Sequence, residues 1–192
     1  MTDYKTLHGK KIKYLASDPP GPAGEGQVWY NSTATEFKSS IKVAAWSSGG
    51  NLNTPKDSLG AACAAPITAG MVFGGGDSTG HLAETEQYDG SSWTEVGDLN
   101  TAREILGGAG TQTAALVFGG ASPAADAEVD TAAYDGTSWT QIADMATGRQ
   151  ELNGADASST ATLAICGELQ PGNSNAVEEF TEAVTTRTVD VS

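Results

Sequence analysis

The chain has 192 residues and a formal charge of −14, and only 18% of its residues are charged, so it is long enough for one ordinary domain with a small appendage. No stretch approaches the roughly 20 apolar residues of a membrane span, and Met1-Thr2-Asp3-Tyr4-Lys5 lacks the apolar core of a secretion signal. These features predict a soluble protein made in a cytoplasm, with no membrane span and, on an acidic surface, no nucleic-acid partner.

Residues 1–45 stand apart in charge. They hold Lys5, Lys10, Lys11, Lys13, Lys38 and Lys42 against Asp3, Asp18, Glu25 and Glu36, whereas the rest of the chain holds Lys56, Arg103, Arg149 and Arg187 against 20 acids. A solubilising role is the simplest reading of that acidic surplus. The run from Ser17 to Gly26 contains three prolines and three glycines, which rules out a helix or central strand and predicts an extended arm or turn. Val28-Trp29-Tyr30 and Glu36-Phe37-Lys38 then read as the two arms of a β-hairpin, and Ile41 to Trp46 as the strand entering the next region. Asn31-Ser32-Thr33 is formally a glycosylation sequon but reads better as the turn between those arms. The expected division is therefore 1–45, an arm and hairpin, and 46–192, a repeat domain.

From Leu52 the chain repeats at intervals of 46 to 47 residues. Leu52-Asn53-Thr54 returns as Leu99-Asn100-Thr101 and, weakened, as Met145-Ala146-Thr147, with Lys56, Arg103 and Arg149 in step. Val72-Phe73-Gly74-Gly75 returns as Val117-Phe118-Gly119-Gly120 and decays to Ala164-Ile165-Cys166-Gly167. Tyr88-Asp89-Gly90 and Trp93 return as Tyr134-Asp135-Gly136 and Trp139; in the third copy Phe180 takes the Tyr position and no Trp follows. Trp46 precedes Trp93 by 47 residues and suggests the last strand of an earlier, incomplete unit. The copies span about 52–98, 99–144 and 145–192. In the second, strands are expected at Ile105 to Gly110, Gln112 to Phe118, Glu128 to Tyr134 and Ser138 to Ile142, with Asp135-Gly136 as a hairpin turn. Four antiparallel strands per copy make the chain all-β. The Gly pairs suit positive φ or close approach, and the Tyr and Trp supply flat surfaces for packing copy on copy.

Together, the Gly pairs Gly74-Gly75 and Gly119-Gly120 behind Phe73 and Phe118, the upstream acids Glu84, Glu86 and Glu128, and Tyr88 and Tyr134 with Trp93 and Trp139 five residues on resemble the Kelch repeat. That resemblance implies blades of a β-propeller over residues 46–192, and it assigns those aromatics and glycines structural rather than ligand-binding roles. The third copy, which lacks one partner of the Gly pair and the Trp, is expected to be a divergent cap or a partner-facing edge. Closed propellers have four to eight blades, so three cannot close a ring in one chain.

The segment from Ser17-Asp18-Pro19-Pro20 through Glu25 to Thr33, followed by Ala44 to Thr54, Thr111 to Ala115 and Phe118-Gly119-Gly120, is similar to virion structural and tail-associated proteins of tailed bacteriophages, especially those of marine cyanobacteria. The resemblance implies a virion protein made in the host cytoplasm: a tail fibre, spike or other surface component. Residues 1–45 would attach it to other virion proteins, and the repeats would meet a host-surface glycan or protein. It also implies a homo-oligomer, with a trimer favoured. A free carbohydrate- or protein-binding module using the loops Asp77 to His81 and Ala121 to Asp126 is the alternative.

No catalytic residue, metal site or cofactor is expected. His8 and His81 are the only histidines and sit in no nucleophile motif. Glu84 with Glu86, and Glu178 with Glu179, would suit glycoside hydrolysis, but carboxylates at alternate strand positions are expected to face solvent. Asp126, Glu128 and Asp130 would alternate on one strand face without the spacing of a calcium loop. Gly74-Gly75-Gly76 and Gly107-Gly108 lack the lysine of a phosphate loop. Cys63 and Cys166 are expected to be small buried side chains with no disulfide between them.

Overall fold

The computed structural model describes residues 13–18, 28–39, 45–64, 66–155, 158–169 and 171–182. The chain divides into two compact units, Met1–Ser48 and Gly49–Ser192. Every regular element described is a β-strand. The arm expected at 17–26 and the strand expected at Ile41 to Trp46 fall largely outside the described residues.

In the first unit, β1 (Lys13–Leu15) pairs in parallel with β2 (Val28–Asn31), which pairs antiparallel with β3 (Glu36–Ser39). The hairpin is the expected one; the parallel β1 was not legible in its Lys-rich surroundings. Asn31, buried at the end of β2, accepts the backbone N–H groups of Thr33 and Ala34 and so builds the turn itself, with its amide nitrogen committed to Asp18. A glycan has no access to that amide. Asp18 also accepts Trp29 Nε1 at 3.1 Å and Lys38 Nζ at 3.0 Å. The hydrogen bond from Asn31, then those from Lys38 and Trp29, hold its carboxyl at about 2.

The second unit contains three successive sheets that match the sequence period. The first is β4 (Gly60–Ala62), β5 (Met71–Phe73), β8 (Thr85–Tyr88) and β9 (Trp93–Glu95), in that spatial order. Between β5 and β8 a short hairpin of β6 (Gly76–Asp77) and β7 (Gly80–His81) is inserted, and the third repeat makes a matching turn in which Glu168 bridges Asn173 and Leu169 N–H donates to the Gly172 carbonyl. The second sheet is β10 (Gly107–Thr111), β11 (Ala114–Phe118), β12 (Thr131–Tyr134) and β13 (Trp139–Gln141). The third is β14 (Asn153–Ala155), β15 (Ala161–Ile165) and β16 (Val177–Thr181); its expected fourth strand lies outside the described residues. All pairs within these sheets are antiparallel. The described sheets close no ring.

Three expectations need correction. Trp46 is fully exposed and Ala45 to Gly50 form no strand, so Trp46 does not mimic Trp93. The strand expected from Glu128 begins only at Thr131: Ala121 is bridged to Glu104 and Ser122 turns onto Ala125, which makes 121–130 a loop. Asp126, Glu128 and Asp130 therefore share no strand face. Cys63 and Cys166 are exposed, because one follows β4 on the outward side of the first sheet and the other ends β15 on the far side of the third.

Two apolar clusters hold the sheets together, one at each junction. Phe73 and Met71 of the first sheet pack with Leu106, Ala115, Val117, Ala132, Tyr134 and Trp139 of the second. Phe118 and Leu116 of the second pack with Leu152 and Ala164, joined by the half-buried Phe180, of the third. The core is thus not inside a sheet but between consecutive ones, as the recurrence of its aromatics requires.

Candidate functional site: the interfaces between repeats

The repeat signature residues converge on these junctions. A strand ends at Phe73 or Phe118, and the following Gly pair turns the backbone at φ 62° and 99°, or 63° and 95°. A Cβ on Gly74 would lie 2.5 Å from the Arg103 carbonyl oxygen, and one on Gly119 2.6 Å from that of Arg149. Both carbonyls belong to the next repeat. The first Gly is therefore dictated by what is stacked behind it as well as by its own dihedral. Cys166 holds the same position in the third repeat at φ 56°, and there no described sheet follows.

The opposite face shows the converse. Gly108 and Gly154, the second residues of β10 and β14, lie so close to the preceding first strand that a Cβ would stand 2.6 Å from the Ala61 oxygen and 2.1 Å from the Gly108 oxygen. Ala61 occupies this position in β4, and it is exposed. Side chains thus appear at the repeat positions that meet no described neighbour, and glycine where a neighbour's carbonyl presses. A further repeat stacked in this same geometry would meet the Ala61 methyl on one end or the Cys166 side chain on the other.

Backbone bonds stitch the copies together in register. Ile105 N–H donates to the Ser58 carbonyl at 2.7 Å and Glu151 N–H to the Ile105 carbonyl at 2.9 Å. Ser58, Ile105 and Glu151 share φ near +50°. A left-handed non-glycine residue recurring at one repeat position, two after the cation, marks this ladder as a fixed element of the packing. Gly75 N–H donates to Arg103 O at 2.9 Å and Gly120 N–H to Arg149 O at 2.8 Å. Gln112 adds a side-chain tie, donating to the carbonyls of Gly70 and Tyr88 in the first repeat.

The cations that recur in step with the repeat complete each clasp. Arg103 is buried and donates from Nη1 to the carbonyls of Gly119 at 3.2 Å and Asp130 at 2.9 Å. Arg149 repeats this on Cys166 O at 3.1 Å and Ala176 O at 2.8 Å. The backbone of each arginine thus binds the preceding repeat while its guanidinium binds its own Gly-pair position. Burial lowers the Arg103 pKa, opposed by the charges of Asp130, Glu128 and Asp144. Lys56 differs: its ammonium, shielded from solvent, lies 3.0 Å from Glu84 Oε2 and 3.1 Å from Glu86 Oε1.

The candidate carboxylate pairs dissolve in this frame. Glu86, expected to face solvent, is buried against Lys56 and accepts the Asn53 N–H at 2.7 Å. Its counterpart Glu178 accepts Arg149 Nη2 at 2.8 Å and the Ala146 N–H at 2.6 Å. In the second repeat the equivalent residue is Ala132, so the Arg103 charge there rests on carbonyl dipoles. Glu128 accepts the Ser122 hydroxyl within its loop. His81, in the inserted hairpin, has Nε2 3.6 Å from Glu104 Oε1; His8 lies outside the described residues. Among the described residues no three His, Cys, Asp or Glu side chains are placed to share a metal ion.

The aromatic pairs complete the junctions unequally. Tyr88 and Trp93 have ring centroids 5.0 Å apart, as do Tyr134 and Trp139. Trp139 is buried, meets Phe73 edge-on at 5.0 Å and donates its ring N–H to the Thr85 hydroxyl at 3.1 Å. Trp93 has no described sheet ahead of it; it is half-buried and donates to the carbonyl of Gly50, 43 residues upstream. Asp89 and Asp135 shape the adjoining turns. The Asp89 carboxyl, held at about 2, accepts the Ser92 backbone N–H and the Ser91 hydroxyl and N–H; Asp135 is lowered by the Ser138 and Thr137 N–H groups.

No protein-family model matches this chain, and none of the curated proteins matches it significantly.

Proposed function

We propose that the chain is a structural component of a bacteriophage virion, a tail fibre, spike or other surface protein, in which residues 49–192 form Kelch-like blades and the N-terminal unit makes the attachment. The observation that carries this reading is the use of the recurring polar groups. The buried arginines, the Lys56–Glu86 pair and the Trp139 ring N–H are all spent on holding strand to strand and sheet to sheet. That is the economy of a scaffold that displays its outer loops, beside a separate unit of opposite charge.

The array also bears on how copies assemble. Ala61 and Cys166 stand where continued stacking requires glycine, so an oligomer, for which a trimer remains our preference, forms through other surfaces than a prolonged stack of repeats. The N-terminal unit is the natural place for it. Mass-spectrometric inventory of purified particles, with the chain localised in particle density, tests the proposal; particles that lack the chain overturn it.

A second reading, a free carbohydrate- or protein-binding Kelch-like module, draws support from the β6–β7 hairpin, whose tip from Asp77 to Gly80 is exposed. Asp77 organises its tip, accepting the Thr79 hydroxyl and N–H at 2.6 Å each. Glycan-array binding by isolated chain that associates with no particle would favour this reading over the first.

A further inference from the structure

The stem of the β6–β7 hairpin is held from two sides. Asp57 brackets Gly76 through its backbone, its N–H donating to the Gly76 carbonyl at 3.0 Å and its carbonyl accepting the Gly76 N–H at 2.9 Å. From the second repeat, Arg103 N–H donates to the Leu82 carbonyl at 3.1 Å, which fixes the next residue, Glu104, beside the hairpin. Glu104 reaches over Gly76, where a Cβ would collide with its Oε2. Its other oxygen, Oε1, lies 3.6 Å from Nε2 of His81, the cross-strand partner of Gly76. The two side chains are 26% and 32% exposed, so solvent reaches them without separating them. A contact of that length is too long for a hydrogen bond, so a neutral imidazole gains little from it, while a charged one gains the attraction of a carboxylate.

The second junction has no such pair at the corresponding place. Leu82 N–H donates to the Gly75 carbonyl and Glu128 N–H to that of Gly120, and Arg149 N–H meets the Glu128 carbonyl as Arg103 N–H meets that of Leu82. Ala127 therefore holds the His81 position and Gln150 the Glu104 position, and neither side chain titrates. The other charged groups around the hairpin are engaged elsewhere or share the sign of Glu104. Asp77 Oδ1 accepts the Thr79 hydroxyl and the N–H groups of Thr79 and Gly80, and Asp57 is exposed. Lys56 is paired with Glu84 and Glu86, and Arg103 is turned onto the carbonyls of Gly119 and Asp130. We propose that His81 and Glu104 form an acid-operated latch: protonation of His81 ties the β6–β7 hairpin to the second repeat, and deprotonation releases its exposed tip. The latch is independent of the virion role.

Between pH 7.5 and pH 5.5 imidazoles become charged while carboxylates stay ionised. The test is site-resolved hydrogen exchange on the full chain at those two values, corrected for the intrinsic pH dependence of exchange. Protection of the His81 and Leu82 amides should rise about two- to fivefold on acidification, the size of a partly exposed ion pair. The amides of Ala127 and Glu128, at the matching place in the second repeat, should not respond. His81→Gln should abolish the rise, Glu104→Gln should remove most of it, and high salt should weaken it in the wild type. A rise that survives in His81→Gln, or one shared equally by Ala127 and Glu128, assigns the response to net charge and overturns the proposal; so does the absence of any rise. The wild-type comparison of the two loops needs no variant, so a substituted chain that misfolds leaves the test intact. Failure here leaves the virion role standing, since the particle inventory reads that role separately.

Discussion

The two junctions between repeats share a backbone and differ in their filling. At both, a Gly pair accepts the close approach of the next repeat, a left-handed residue extends the N–H to carbonyl ladder, and a buried arginine ties strand ends. At the first, Phe73 and Trp139 fill the space and Thr85 satisfies the indole N–H. At the second, Phe118 meets Leu152, Ala164 and the half-buried Phe180 across a cavity. Equal wiring with unequal packing separates two contributions that most folds confound. Hydrogen bonds set the register of one repeat on the next, while apolar burial supplies most of the cohesion.

The largest way to break the contrast is to remove the ring that makes it. Trp139→Ala should destabilise the chain by about 3–5 kcal/mol, because it opens a large cavity and leaves the buried Thr85 hydroxyl without its donor. Trp93→Ala, at the half-buried position with no sheet ahead of it, should cost only about 1–2 kcal/mol. Denaturation midpoints of the two variants, with hydrogen exchange of β11 amides, check this; equal losses would show that stacking does not govern the Trp contribution. The same logic ranks the phenylalanines. Phe73→Ala should cost about 1 kcal/mol more than Phe118→Ala, since Phe118 already borders empty space and has fewer contacts to lose.

Much of this was legible in the residues. The period, the all-β class and the strands around Phe118 and Tyr134 follow from alternation and turn chemistry, and those signals are local. The clasps were visible as a spacing but not as an interaction, because Arg103 reaches carbonyls 16 and 27 residues away that side-chain patterns do not encode. Glu86 was misplaced for a related reason. Alternation assigns it to solvent, yet Lys56, thirty residues upstream, folds over it and makes burial of the charge tolerable. The cysteines were misplaced because burial statistics assume a neighbour on each face, and Cys63 and Cys166 stand where the described array ends. The apparent decay of the third repeat has the same origin: Gly119 becomes Cys166 where no carbonyl of a following sheet presses. The cavity required the structure, since the side chains that line it come from two sheets and from positions far apart in the chain.

That account of the first Gly position sharpens into a pair of opposite substitutions of smaller effect. Gly119→Ala should destabilise by about 1–3 kcal/mol, because its methyl meets the Arg149 carbonyl and its φ of 63° strains any L residue. Cys166→Gly, by contrast, should be neutral or stabilising by up to about 1 kcal/mol, since it relieves a φ of 56° and meets no following sheet among the described residues. Thermal midpoints under reducing conditions distinguish the two. A loss at Cys166 as large as that at Gly119 would mean that the two ends of the clasp carry the same load.

The smallest expected effect lies in the turns and reads out through pH. Asp89 and Asp135 cap the third turn of the first and second repeats, and both carboxyls are held below the usual range by backbone N–H groups. The third repeat has Thr181-Glu182 there and no such aspartate. A carboxyl with a depressed folded pKa stabilises the fold fully above its unfolded value of about 3.9, and the contribution fades as pH falls towards the folded value, about 2 for Asp89. Between pH 4 and pH 2 the first two sheets should therefore lose this increment while the third does not. Asp89→Asn keeps the turn's acceptor oxygen but removes the titration, so its stability should fall less steeply over that window than the wild type's. Site-resolved hydrogen exchange at pH 4 and pH 2.5 in Asp89→Asn, Asp135→Asn and wild type measures it. The exposed carboxylates make the effect small, but its distribution is distinctive: an acid response equal in all three sheets would assign it to net charge, and one confined to the first two would assign it to these turns.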